Sequence, residues 1–194
     1  MNWDPFAILL IDVQEDFWSE SAAAAFPCFP QRVSNLLAVA RRCKIDVIHL
    51  HAKFKSDRSD WMVRYKAIER KLPCIEDTPG VTVMSCAAPL PGETIIIKQS
   101  FDGFLSEQLE RTLQESKKQF LLVAGLITSV CVLFTAASAA QRGYLVALLD
   151  DCCADGSLDI HNSVLNNYPF VFDRTGTDSL FDNHDRWMSQ LQKL

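Results

Sequence analysis

Three side chains able to do chemistry stand at the ends of apolar runs. Asp12 closes "FAILLID", Lys98 lies near the end of "ETIIIKQ", and Cys131 follows "QFLLVAG" across a short polar joint, "LITSV". A carboxylate can carry a proton, an ammonium can stabilise a neighbouring anion, and a thiol that gives up its proton can attack an electrophilic carbon. Together they suit nucleophilic hydrolysis. Each also has an ordinary reading. A strand-end aspartate caps a turn, a lysine stem runs along apolar surface to solvent, and most cysteines behave as small buried hydrophobes. Their shared placement at strand ends is what favours chemistry.

Something must bring these ends together. Strands are expected at 6–12, 46–52, 93–99, 119–125, 143–151 and 169–173. Helices are expected near 29–44, 104–117, from Thr128 to about Arg142, and near 157–167 and 177–192. Pro30 suits a first helical turn. Strands apolar on both faces and alternating with helices predict a parallel sheet covered on both sides. The expected fold is one three-layer α/β domain over 1–194 with six mostly parallel strands. Ligands of such sheets bind beyond the carboxyl ends of the strands, which is where Asp12, Lys98 and Cys131 fall.

Composition narrows the remaining classes. The 194 residues are 48% hydrophobic and 22% charged, with a net charge of −5. That balance suits a globular domain and offers no reason to expect nucleic acid. No apolar run approaches a membrane span. The N-terminus has Asp4 and no basic segment before "FAILLI", so a conventional signal peptide is not expected. The seven cysteines form no C-x-x-C pair, and reduced thiols in a cytoplasmic setting are expected. "DVQEDFW" follows the first strand where a dinucleotide binder would carry G-x-G-x-x-G, so nucleotide binding is set aside.

"DVQEDF", "KQSFDGF" and "GLITSVCVLFTAASAAQRGY" resemble the isochorismatase-like cysteine hydrolase superfamily, over about residues 5–175. That superfamily includes nicotinamidases, N-carbamoylsarcosine amidohydrolases, ureidoacrylate hydrolases and isochorismatases. The resemblance implies a six-stranded parallel sheet, an Asp12–Lys98–Cys131 triad and a non-proline cis peptide at Leu126–Ile127. It also implies an oxyanion hole made by the Ile127 and Cys131 N–H groups. A free thiol titrates at about 8.5; a helix N-terminus and Lys98 are expected to hold Cys131 as the anion. Asp12 would then relay a proton between the thiol, the leaving nitrogen and water.

The pocket is expected to draw on Phe17, Trp18, Trp61, Tyr65, Phe101 and Phe104, with "SDWMVRYK" as a lid. Arg58, Arg64 or Lys66 are candidates to hold a substrate carboxylate. Nicotinamidases bind a divalent metal through an Asp-x-His pair. Here "VIHLHAKFKSDRSDW" keeps His49 and His51 without that pair, so neither a metal nor another cofactor is expected. His161 is expected to have a surface or capping role.

The preferred reading is hydrolysis of a C–N bond in a small molecule through a thioester. One alternative is isochorismatase chemistry, cleavage of a vinyl ether to pyruvate and a dihydroxy acid. Another is an inactive binding protein on the same fold. The resemblance also implies a homo-oligomer, dimer or tetramer, with 135–180 as the contact region. Cys152 and Cys153 have no assigned role.

Overall fold

The computed structural model describes residues 1–68 and 72–194. Six strands form one sheet: β1 (Phe6–Ile11), β2 (Asp46–Ala52), β3 (Thr94–Lys98), β4 (Phe120–Leu126), β5 (Leu145–Ala154) and β6 (Asp173–Thr175). Their order across the sheet is β3-β2-β1-β4-β5-β6, and every neighbouring pair is parallel. The chain winds outward from β1 in one direction and from β4 in the other. The crevice between β1 and β4 is therefore the switch point at which such sheets bind ligands.

The central strands are buried on both faces because both faces are covered. Phe6, Ile8 and Leu10 of β1 join Phe120, Leu122 and Ala124 of β4 in one core; Ala7, Leu9 and Ile11 join Leu121 and Val123 in the other. This is the period-two alternation of a strand. After a short α1 (Glu20–Ala25), α2 (Phe29–Cys43) closes the first core with Phe29, Val33, Leu36 and Leu37. Each such side chain contributes roughly 2 kcal/mol by leaving water. A short α3 (Val63–Ala67) follows β2. The second core is closed by α4 (Glu107–Glu115) and α5 (Leu133–Gln141), with Leu165 from α6 (Leu158–Asn167). The last helix, α7 (Leu180–Leu191), returns to the first core and buries Leu180 and Trp187.

Two strands differ from the expected bounds. β5 continues through Cys152, Cys153 and Ala154, although its apolar run stops at Asp150. Its register with β4 passes from Val123↔Leu148 to Gly125↔Cys153, so β5 bulges outward over the intervening residues. Asp150 and Asp151 turn out of the sheet to Arg174 and Thr177. The sixth strand is Asp173–Thr175 rather than 169–173, because Tyr168 accepts the Val171 and Phe172 N–H groups in a turn. All seven cysteines are free thiols. Among the described residues, no helix is long and apolar enough to cross a membrane.

Candidate active site

Asp12 leaves β1 in the left-handed region at φ 50, a conformation that aspartate tolerates better than most residues. Its side chain is wholly buried at the switch point. Lys98 ends β3, two strands away, and its stem spans the distance so that Nζ donates to Asp12 Oδ2 at 2.6 Å and to Ser100 O at 2.8 Å. Gln14 braces the same rim: its amide donates to Ala52 O and Val81 O and accepts the Ala52 N–H. Cys131 arrives from the β4 side, buried, with its thiol near enough to feel both Asp12 and Lys98. Asp12 Oδ1, although buried, has no hydrogen-bond partner.

The charges in this cluster hold one another. Burial pushes the Asp12 carboxyl up, against the lowering pull of Lys98. Burial alone would lower the Lys98 ammonium, but the Asp12 anion and the Cys131 sulfur raise it overall. The Cys131 thiol is pushed well above the usual thiol range, first by burial and then by the Asp12 anion, with Lys98 offsetting only part. Cys131 thus sits beside a carboxyl and an ammonium that are paired with each other.

The joint before α5 explains part of this. Thr128–Val132 forms a π-helical turn, and Val130 and Val132 both donate to Ile127 O. Cys131 thus lies inside the helical run, and the positive end of that run is already met: the Ser129 N–H donates to the buried Asp155 carboxylate at 2.8 Å. Thr128 Oγ1 bonds His161 Nδ1 at 2.8 Å, and both side chains are buried. His161 is consequently neither at the surface nor a cap. It anchors the first residue of the turn, packs on Phe26, and is pushed below its usual range by burial. The Leu126–Ile127 peptide is cis. Gly125 precedes it at φ +125, and a Cβ there would meet Ile11 O at 2.0 Å, so only glycine lets β4 pass β1 this closely.

Cys131 and Lys98 open onto a cavity of about 660 Å³. Of the expected pocket aromatics, Phe17, Tyr65 and Phe101 line it. Three others do not. Trp18 stacks on Phe29 in the first core, Phe104 is buried in the second core, and Trp61 packs half-buried against the cluster of Ala52, Phe54, Leu72 and Cys74, with its indole N–H on Lys55 O and Arg58 over its ring. Neither Arg58 nor Arg64 nor Lys66 reaches the lining; the Lys66 ammonium is held by Ser59 O. Residues absent from the expected set complete the wall, among them Phe54, Met62, Leu72, Val130 and Phe134. Phe134 was findable, since it stands one turn after Cys131 and shares its helix face. Asp16 also borders the cavity, and its Oδ2 accepts the Cys74 N–H at 2.6 Å, tying the segment that carries Leu72 and Pro73 to the end of β1.

His49 and His51 lie on the face of β2 that carries Val47 into the core with α2, away from the cavity. His49 Nε2 bonds Glu93, which Arg41 grips through two further bonds. Among the described residues, no group of three or more His, Cys, Asp or Glu side chains could hold a metal ion.

A doubly wound parallel sheet with a cysteine-bearing turn at its switch point defines the class: an α/β protein built around a thiol site. Residues 6–177 match the model of the isochorismatase domain, and the chain belongs to that family of hydrolases. It is similar to the isochorismatase family protein YddQ of Bacillus subtilis, at 26% identity over 82% of this chain and 83% of that one. It is likewise similar to maleamate amidohydrolase of Pseudomonas putida, at 26% identity over 82% and 76%. Among solved structures, an isochorismatase family protein from Desulfovibrio vulgaris superposes with a TM-score of 0.83 at 25% identity, covering 92% of this chain and 97% of that one.

Proposed function

We propose that the chain hydrolyses the C–N bond of a small amide through a thioester on Cys131. The observation that carries this reading is the division of labour on Asp12. One oxygen is held by Lys98 at 2.6 Å, and the other is buried without a partner beside the Cys131 thiol. A free acceptor next to a thiol nucleophile is what proton transfer on attack requires.

Asp12 Oδ1 takes the thiol proton as Sγ forms its bond to the carbonyl carbon. The oxyanion is received by the N–H groups of Ile127 and Cys131. Collapse of the adduct breaks the C–N bond, and the Asp12 proton leaves with the nitrogen. Water then gives a proton to Asp12 and its oxygen to the thioester. The acid departs, and the sulfur recovers the proton from Asp12. Lys98 remains an ammonium throughout and keeps Asp12 aligned. The net change is amide plus water to acid plus amine. The amide chemistry named for the Pseudomonas relative supports this branch of the family.

Mass spectrometry of acid-quenched turnover tests the reading. An acyl adduct on Cys131, absent from Cys131→Ser, is expected, with ammonia or amine released in step with acid. Pyruvate release from isochorismate without any adduct would favour vinyl-ether cleavage instead. Sluggish alkylation of all seven cysteines alike, with no turnover, would favour an inactive protein.

A further inference from the structure

β3 stands at one edge of the sheet, and among the described residues β2 is its one neighbouring strand. The Lys53 N–H donates to Lys98 O, so the backbone of Lys98 faces β2. Successive residues of a strand turn their N–H and C=O groups to opposite edges. Ile96 and Thr94 therefore also face β2, and Ile95 and Ile97 present their backbone groups outward. The side chains of these two are unusual for such a place. Ile95 is 46% exposed and Ile97 41%, on the face that they share with their register neighbours His49 and His51. Beyond the strand's end, Ile97 and the exposed Leu105 flank a groove of about 260 Å³.

Edge strands that must stay unpaired carry outward charges, prolines or bulges. β3 carries none of these. The charges beside its isoleucines are turned inward: Glu93 to Arg41 and His49, and Lys98 to Asp12. An unguarded edge of this kind accepts another strand, and the spacing selects which. In an antiparallel pair, opposed residues that exchange both backbone bonds alternate with opposed residues that exchange none. A two-fold axis at Ile96 sets Ile95 against Ile97 of a second copy, and Ile97 against that copy's Ile95. Both pairs are then of the bonded kind, as the outward groups of these two residues require. The exposed isoleucine side chains of both copies meet on one face. The patch is thus its own complement, the condition for an isologous contact.

We propose that two copies of this chain associate through β3, antiparallel about a two-fold axis at Ile96, so that their sheets join. This surface is separate from 135–180 and owes nothing to the hydrolase reading. A contact one strand wide is smaller than the roughly 800 Å² per partner of a stable complex, so the dimer is expected to dissociate in the micromolar range, on the order of 10 μM.

Sedimentation velocity of the full chain from about 1 to 200 μM, a range that brackets this constant, tests the proposal. A shift from monomer to dimer is expected. Ile95→Lys and Ile97→Lys, at positions already open to water, are each expected to weaken the dimer at least about tenfold, because a lysine on an edge opposes pairing. Phe170→Lys, exposed within 135–180, is expected to leave it within about twofold. Circular dichroism checks that each variant is folded. A second readout needs no variant: the Ile95 and Ile97 amides are expected to exchange hydrogen more slowly as the wild-type protein is concentrated, followed by NMR. A monomer across the whole range would overturn the proposal. So would a dimer that survives both lysines, one lost to Phe170→Lys alone, or exchange at Ile95 and Ile97 that ignores concentration.

Discussion

Two buried polar clusters flank β2, and they differ in what they leave open. On the α2 face, His49, Glu93 and Arg41 form a chain of bonds of 2.8–3.0 Å. At the strand ends, Asp12 and Lys98 pair at 2.6 Å beside Cys131. Each cluster contains one buried atom without a partner, His49 Nδ1 and Asp12 Oδ1. The difference lies in their surroundings. His49 is wrapped by protein, whereas Asp12 stands next to a thiol that opens onto a cavity of about 660 Å³. Buried charge is thus no mark of function by itself. An unspent acceptor beside a nucleophile that a ligand can reach is a stronger one.

The sharpest way to break this contrast is to delete the sulfur. Cys131→Ala is expected to lower turnover on the order of 10⁴-fold, as for a lost nucleophile elsewhere, without changing the circular dichroism spectrum. Arg41→Met, in the other cluster, should leave kcat within about twofold, because it touches nothing in the cavity. A comparable loss from both would erase the distinction.

Next in size is the pair itself. Lys98→Met leaves Asp12 buried without its counter-charge, and breaking such a pair costs about 3–5 kcal/mol. The double variant Asp12→Asn/Lys98→Met should recover most of that stability in denaturant titration while activity stays lost. If the double variant were as unstable as the single one, packing rather than charge would explain the defect.

Asp155→Ala, which frees the Ser129 N–H, is expected to lower kcat about 10- to 100-fold with little change in KM, through misplacement of the nucleophile turn. Initial rates over a range of substrate concentrations separate the two parameters. A change confined to KM would argue against a positioning role.

The smallest effect belongs to the His49–Glu93–Arg41 cluster and reads stability alone. Burial by itself raises the Glu93 carboxyl, but Arg41, the Leu90 N–H and His49 bring it down from 4.5 to about 2. A depressed carboxyl adds stability that is complete above its unfolded value and lost as pH falls through its folded one. His51, lowered from 6.5 to about 4 by burial, by His49 and by Lys98, acts with the same sign at higher pH, since acid must charge a ring the fold holds neutral. Glu93→Gln should therefore flatten the fall in stability between pH 4.5 and 2, followed by thermal unfolding across that range, and steepen the fall below pH 6.5, because His49 loses the carboxylate that offsets its burial.

Much of the fold was legible because the strands are uniformly apolar and punctuated. The bounds of α2 and β2 came within a residue, since caps and polar residues flank them. β5 was cut short because Asp150 and Asp151 look like an ending, and only the bulge lets a buried strand carry them. Asp12 and Lys98 could be picked out for the same reason as the strands, since each ends an apolar run, whereas Cys131 lies beyond β4 in the turn that opens α5. The pocket was legible by halves. Phe17 and Trp18 are adjacent, and which ring faces the cavity depends on the 3-10 turn at Glu15–Phe17, which sequence does not resolve. Asp155 and His161 were missed or misplaced because their partners, Ser129 and Thr128, are distant in the chain.

Residue order alone determined which side chains end the strands, because burial on both faces demands apolar runs and reactive groups must wait until those runs stop. Only the folded arrangement decided their chemical state. A thiol's proton is held or released according to its desolvation and its neighbours, and these depend on which strand ends become adjacent. Here β1, β3 and β4 bring Asp12, Lys98 and Cys131 together, so that burial and the Asp12 anion push the thiol up while Lys98 draws it down.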